Sequence, residues 1–160
     1  MFDHELEIAT RLALQAAEVI REVYETSFEV VQKSGGGGPV TEAATRANEL
    51  IVEGLAKAFP GDALVAEEST HQAPTVSRVW FVDPLDGTRE FVDRNGMFAV
   101  HIGLAIDGKP VAGVVHAPDP SVAPGHASIH SLLDKAAEGT TRGVALADRS
   151  ATWVLAQSRP

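Results

Sequence analysis

The chain contains no cysteine among its 160 residues. Disulfides, thiolate metal ligands and a thiol nucleophile are therefore excluded, and any metal site must use oxygen or histidine donors. Basic residues are also scarce, since 13 Lys and Arg oppose 22 Asp and Glu and give a formal net charge of −9. Because nucleic-acid polymers and anionic membranes attract clustered basic side chains, neither is an expected partner.

A long hydrophobic run and a secretion signal are also missing. The longest apolar stretch, residues 98–106, is too short to cross a bilayer and is interrupted by His101. The N-terminal sequence Met-Phe-Asp-His-Glu has neither a basic nor an apolar segment of the kind that directs secretion. We therefore expect a soluble, cytoplasmic protein without a transmembrane segment.

The apolar pattern predicts two helices followed by short strands. Apolar residues recur with a helical period over residues 3–26, and Thr41 is a suitable N-cap for a second helix that ends near residue 59. Strands are predicted over 63–66, 79–82, 97–106, 111–116, 144–147 and 152–156, with an Asp107-Gly108 hairpin turn and a short helix over 129–137. This order predicts an α+β fold in which helices pack on a largely antiparallel sheet.

Carboxylates follow two of the predicted strands directly. Glu67-Glu68 comes after the strand at 63–66, and Asp83-Pro-Leu-Asp86 comes after the strand at 79–82. Crowded carboxylates repel one another, and a hard divalent cation such as Mg²⁺ relieves that repulsion through oxygen ligands. The alternative is a solvated acidic loop in which Asp-Pro and Asp-Gly form turns.

The segment that begins at Asp86 adds a candidate phosphate site. Asp86-Gly-Thr88 is typical of a turn that opens a short helix, with Thr88 as its predicted N-cap and free N–H groups that attract an anion. An aspartyl-nucleophile phosphatase motif is excluded because Pro84 stands where the nucleophile would be, and Leu85 breaks the ligand alternation of an EF-hand. Metal ligands beside a phosphate turn favour phosphomonoester hydrolysis.

Three neighbouring side chains allow more than one interpretation. His101 alternates into a predicted strand and is expected to be buried and hydrogen-bonded, a substrate role being the alternative. Arg89 and Arg94 flank the turn and are interpreted as solvated helix charges, with contact to a second phosphate as the alternative.

The acidic motifs resemble the double signature of the inositol monophosphatase superfamily, whose members are Mg²⁺-dependent, lithium-sensitive phosphatases. Within that superfamily the chain is most similar to the CysQ-type 3′(2′),5′-bisphosphate nucleotidases. The segments that carry this second similarity are 39–43, 46–48, 85–92, 94–96 and 108–118. The resemblance extends from about residue 5 to residue 118, with a weaker match at 157–159.

The resemblance assigns roles to particular residues. It implies that Glu67, Asp83 and Asp86 bind Mg²⁺, two or more ions in the family, together with the backbone carbonyl of Leu85. Glu67 and Thr88 are the expected catalytic residues, Glu67 by helping to place an attacking water that the metal activates. The expected substrate-binding residues are Glu67, Leu85, Asp86, Gly87 and Thr88.

The resemblance also implies a domain organisation and a function. Residues 1–118 are expected to form an N-terminal α+β metal- and phosphate-binding domain, and 119–160 a divergent tail that completes the sheet. The family's C-terminal α/β domain, which carries a further metal ligand and most of the substrate pocket, is expected to be absent. The implied reaction converts adenosine 3′,5′-bisphosphate, a by-product of sulfate assimilation, to AMP and phosphate. Because family members are often dimeric, a homo-oligomer is also expected.

Departures from the family pattern leave alternatives open. Ala44 stands where the family carries an aspartate that pairs with the threonine matching Thr88, and Met97 and His101 replace a more usual Glu and Asn. One alternative is a truncated, catalytically weak or inactive module. The others are inositol monophosphatase or fructose-1,6-bisphosphatase activity on a different small phosphorylated substrate.

Overall fold

A computed structural model describes residues 2–32, 39–67, 76–118, 144–146 and 152–156. The elements in chain order are α1 (Asp3–Tyr24), β1 (Val30–Gln32), β2 (Pro39–Thr41), α2 (Glu42–Ala58), β3 (Ala63–Ala66), β4 (Arg78–Asp86), α3 (Thr88–Val92), β5 (Ala99–Ile106), β6 (Lys109–His116), β7 (Val144–Leu146) and β8 (Thr152–Ala156). None of the helices among these residues is long and apolar enough to span a membrane.

The two long helices form where the helical period predicts them. Each buries a face rich in alanine, and such small side chains let α1 and α2 approach each other and the sheet closely. Thr41 caps α2 as predicted, because its hydroxyl oxygen accepts a hydrogen bond from the Ala44 N–H at 3.3 Å. The first turn of α2 follows directly after β2. Strand β2 also contacts α3.

Within the described residues, the main sheet has six strands in the order β3-β4-β5-β6-β8-β7. Only the β3–β4 pair is parallel, and the other pairs are antiparallel, which confirms the predicted fold class. One face of the sheet packs against α1 and α2 and supplies much of the core, including Trp80, Val82, Ile102, Leu104 and Val114. Strands β7 and β8 extend this same sheet, while the division at residue 118 stays a prediction.

Two observed features differ from the predicted elements, and one predicted element cannot be compared. Strand β4 was predicted to end at residue 82 but continues past Pro84 to Asp86, with an irregular register between Asp83 and Asp86. Strands β1 and β2 form a small antiparallel hairpin that the pattern did not predict. The helix predicted over 129–137 lies outside the described residues.

Candidate metal and phosphate site

The candidate site lies where the only parallel pair of the described sheet ends. Glu67 follows β3, and its N–H donates to the Val82 carbonyl oxygen at 3.0 Å, which extends the parallel pairing by one residue. Asp83 is the next residue of β4, and Asp86 ends that strand. Since parallel strands present their carboxyl ends at one edge, the pairing brings the predicted acidic residues of both strands together.

Asp83 is the most strongly perturbed of these carboxyl groups. Burial, followed by the negative charges of Glu67 and Asp86 and a hydrogen bond with Glu67, raises the pKa of Asp83 to about 8. A hydrogen bond from the Leu85 N–H to Asp83 Oδ1, at 3.1 Å, acts in the opposite direction but is outweighed. The Asp83 carboxyl therefore retains its proton at neutral pH when no cation is bound.

The donor chemistry of this cluster fits a divalent cation, although the donors are not arranged as a finished ligand set. Among the described residues, no three Asp, Glu or His side chains are positioned to hold a metal ion. The three carboxyl groups are nonetheless close enough for two of them to shift the pKa of the third. A hard cation would displace the Asp83 proton and draw these oxygen donors inwards.

The turn after β4 depends on Gly87. Gly87 adopts a φ of +83°, and a Cβ built there would lie 2.7 Å from the Met97 carbonyl oxygen. It is also the N-cap of α3, so Thr88 is the first helical residue and not the cap that the sequence predicted. The Thr88 hydroxyl instead donates to the Leu85 carbonyl oxygen at 2.9 Å.

His101 faces the acidic cluster from the next strand. It is paired with Asp83 in the β4–β5 register, and its Nε2 lies 3.7 Å from Asp86 Oδ2. The Nε2 atom is buried but makes no hydrogen bond, so the expected hydrogen-bonded state is not found at this atom. Burial lowers the pKa of His101, against the opposing effect of Asp86. Strand alternation predicted the burial of His101, whereas its position beside the acidic cluster follows from the β4–β5 register.

Two other sequence predictions have clear outcomes. Arg94 is not a free solvated charge, because it donates to the carbonyl oxygens of Tyr24 and Thr26 and lies over the rings of Tyr24 and Phe28. It therefore secures the chain after α1. Arg89 is exposed, and Glu68 lies outside the described residues.

Ala44 is fully buried on the first turn of α2. Its side chain has no hydrogen-bond acceptor, and the Thr88 hydroxyl donates to the Leu85 carbonyl oxygen. The departure that the sequence showed at position 44 is thus built into the core.

Comparison with known proteins supports the same interpretation. The model of the inositol monophosphatase family matches residues 2–140. The 3′(2′),5′-bisphosphate nucleotidase CysQ of Salmonella typhimurium is 42% identical over 118 residues, which cover 71% of this chain and 48% of that protein. Inositol monophosphatase 2 of Rattus norvegicus is 38% identical over 119 residues, covering 72% of this chain and 41% of that protein.

A solved structure agrees with the fold. The extragenic suppressor protein suhB from Bartonella henselae superimposes with a TM-score of 0.67 at 30% identity, covering 72% of this chain and 45% of that one. The chain spans about half the length of the curated relatives it matches. The family match extends over most of the sequence and includes the Glu67 and Asp83–Thr88 motifs, so the chain belongs to the inositol monophosphatase family.

Proposed function

We propose that this chain carries the metal- and phosphate-binding part of a divalent-cation-dependent phosphomonoesterase. The observation that supports this most directly is the buried Asp83 carboxyl, held beside Glu67 and Asp86 where β3 and β4 end. A buried group with so strongly raised a pKa is costly for the fold, and such groups cluster at functional sites. Membership of a phosphatase family supports the same conclusion.

The proposed ligands of Mg²⁺ are the carboxylates of Glu67, Asp83 and Asp86 and the backbone carbonyl of Leu85. Bound there, the cation would activate a water molecule and stabilise the charge that develops on the phosphate. The Leu85 carbonyl accepts a hydrogen bond from Thr88, and a carbonyl oxygen has a second lone pair that can bind a cation. We also propose that lithium inhibits this activity, as the resemblance to the superfamily implies.

The chain's own groups would orient the substrate. Gly87 and Thr88 are the proposed phosphate-binding turn, whose shape is fixed by the positive φ of Gly87 and by the Thr88 bond to Leu85. Glu67 is proposed to help place the attacking water, since it is an exposed carboxylate in contact with Asp83. Thr88 would act with it as the second catalytic residue.

We propose adenosine 3′,5′-bisphosphate as the substrate, which would place the reaction in sulfur metabolism. The similarity to CysQ supports this choice, but the rat inositol monophosphatase is almost as similar, at 38% against 42% identity. An inositol monophosphate is therefore the second candidate substrate. The cytoplasmic location and the homo-oligomer expected from the sequence stay predictions.

The test is phosphate release from adenosine 3′,5′-bisphosphate by the chain in the presence of Mg²⁺. We expect release that lithium suppresses and that Glu67→Gln reduces by about 100-fold or more, because this substitution removes a ligand charge and the water-placing group. Glu53→Gln, on an exposed position of α2, is the matched control and should retain full activity. Faster release from an inositol monophosphate would reassign the substrate.

A catalytically weak module is the other candidate, and the buried Ala44 favours it. Without a carboxylate at position 44, Thr88 has no acidic partner there and bonds to Leu85. Calorimetric titration with Mg²⁺, run beside the assay, separates the two candidates. Saturable Mg²⁺ binding without phosphate release would identify a weak module, whereas release above the Glu67→Gln level would exclude it.

A further inference from the structure

His101 presents a nitrogen donor to a cluster that otherwise contains oxygen donors. Its strand, β5, runs beside β4, and the register pairs His101 with Asp83. Directly paired residues of antiparallel strands project from the same face of the sheet, with Cβ atoms about 5 Å apart. The imidazole therefore shares its side of the sheet with Asp83 and approaches Asp86 as well.

No group among the described residues satisfies the Nε2 atom of His101. It is buried and makes no hydrogen bond, and its 3.7 Å separation from Asp86 Oδ2 is too long for one. A buried polar atom without a hydrogen bond is uncommon and costs free energy. A group that accepts this lone pair when bound would remove that cost.

The separation suits two donors on one cation. Ligand atoms that each lie about 2.0–2.2 Å from a metal are roughly 3–4 Å apart, depending on the angle between them. The Asp86 and His101 atoms, at 3.7 Å, fall in that range without a rearrangement of either strand. The register also places Asp83 opposite His101 on the same face of the sheet, as a nearby source of a further carboxyl oxygen.

We propose that His101 Nε2 and Asp86 are both ligands of the divalent cation. The histidine then shifts the metal preference of this chain towards ions that bind nitrogen ligands well. This inference rests on the proposed function, because it assumes that a cation binds at the acidic cluster. Imidazole suits Co²⁺, Ni²⁺ and Zn²⁺, whereas Mg²⁺ prefers oxygen donors. The chain should therefore bind Co²⁺ more tightly than an all-oxygen site would.

The experiment compares Co²⁺ and Mg²⁺ binding to the whole chain by calorimetry, and examines the Co²⁺-loaded protein by pulsed EPR. The wild-type spectrum should show modulation from a directly bound imidazole nitrogen. His101→Asn should abolish that modulation and weaken Co²⁺ binding by about 10–100-fold, while the Kd for Mg²⁺ changes by less than about threefold. His101→Gln should give the same result.

Two controls make the outcome specific. His4→Asn changes an exposed histidine on α1 that stacks edge-on against Phe59, and it should leave the spectrum and both affinities unchanged. Asp86→Asn should weaken Co²⁺ and Mg²⁺ alike. The wild-type spectrum alone can refute the inference, since an absence of nitrogen modulation needs no variant, and His101→Gln assigns the modulation to His101 if His101→Asn does not fold.

The results separate this inference from the proposed function. If Co²⁺ binds through Asp86 but no nitrogen modulation appears, or if the modulation persists in His101→Asn, the role of His101 is refuted and the proposed function stands. If neither Co²⁺ nor Mg²⁺ binds to the wild type, the proposed function fails, and the inference fails with it.

Discussion

Asp83 holds its proton at neutral pH in the metal-free chain, because burial and the charges of Glu67 and Asp86 raise its pKa to about 8. In the unfolded chain an aspartate ionises near pH 3.9. Between these two pKa values the folded state binds the additional proton, so its stability falls as the pH rises from about 4 to about 8. The acidic cluster therefore destabilises the fold that holds it.

Replacing this carboxyl should stabilise the metal-free protein at alkaline pH. In EDTA at pH 8.5, we expect Asp83→Asn to increase the free energy of unfolding by several kcal/mol, because no charge is then buried beside the other carboxylates. At about pH 4, near the pKa of an unfolded aspartate, little of this cost remains, and the two proteins should differ by less than about 1 kcal/mol. Urea unfolding at both pH values measures the difference.

A matched control and a metal titration complete this test. Asp107→Asn changes an exposed residue at the hairpin turn with a φ of 51°, a conformation that asparagine tolerates, and it should alter stability little at either pH. Excess Mg²⁺ should reverse the order at pH 8.5, since only the wild type gains ligand-binding free energy through Asp83. Equal stabilisation of Asp83→Asn at both pH values would contradict a titration effect.

At the scale of elements, the junction of β4 and α3 is shaped by a close backbone approach. Gly87→Ala would place a Cβ 2.7 Å from the Met97 carbonyl oxygen and force an L side chain into the left-handed region. We expect a loss of about 3 kcal/mol in unfolding free energy, from conformational strain together with displacement of the backbone before β5. Chemical denaturation gives the loss directly.

Gly108→Ala separates these two contributions. Gly108 also has a positive φ, +73°, but a Cβ there would meet nothing within 4 Å. Only strain remains, so the expected loss is about 1 kcal/mol. If the two variants lost equal stability, the contact with Met97 would have no energetic role in shaping the turn.

The sequence predicted the elements that have a periodic signal and missed those that depend on tertiary pairing. Helical spacing predicted α1 and α2 to within about two residues of their observed ends. The end of β4 was predicted too early, because Pro84 normally excludes a strand interior and is accommodated here at a register irregularity. The three-residue strands β1 and β2 carry no period that could be recognised.

The candidate site was predictable to a similar extent. The acidic motifs placed Glu67 and Asp83 at adjacent strand ends, and the parallel register confirms that placement. The unbonded state of His101 Nε2 was not predictable, because hydrogen bonding at a buried atom depends on groups from several elements. The cap of α3 was assigned to Thr88 one residue late, because Gly87 caps the helix in a left-handed conformation that the sequence pattern alone does not specify.

Across the whole molecule, the two ends of β4 have different tasks. At its beginning, Asp62 accepts hydrogen bonds from the Trp80 indole N–H at 2.9 Å and from Arg78 Nε at 2.9 Å. Arg78 also reaches Glu5 on α1, at 3.2 Å, so this network joins α1, the α2–β3 connection and the sheet. At its end, β4 carries the acidic cluster of Asp83 and Asp86.

This division predicts that stability and cation binding can be altered independently. Asp62→Ala should lower the free energy of unfolding by about 2–3 kcal/mol, because it leaves the buried Trp80 N–H unsatisfied and removes a charge partner of Arg78. Asp62→Asn, which keeps an acceptor oxygen but no charge, should lose roughly half as much. Neither variant should change the Kd for Mg²⁺ by more than about twofold, since both lie at the opposite end of the strand. Urea unfolding measures the loss of stability, and calorimetry on the folded variants measures the Kd for Mg²⁺. A loss of Mg²⁺ affinity in proportion to the loss of stability would show that the two ends of β4 are coupled.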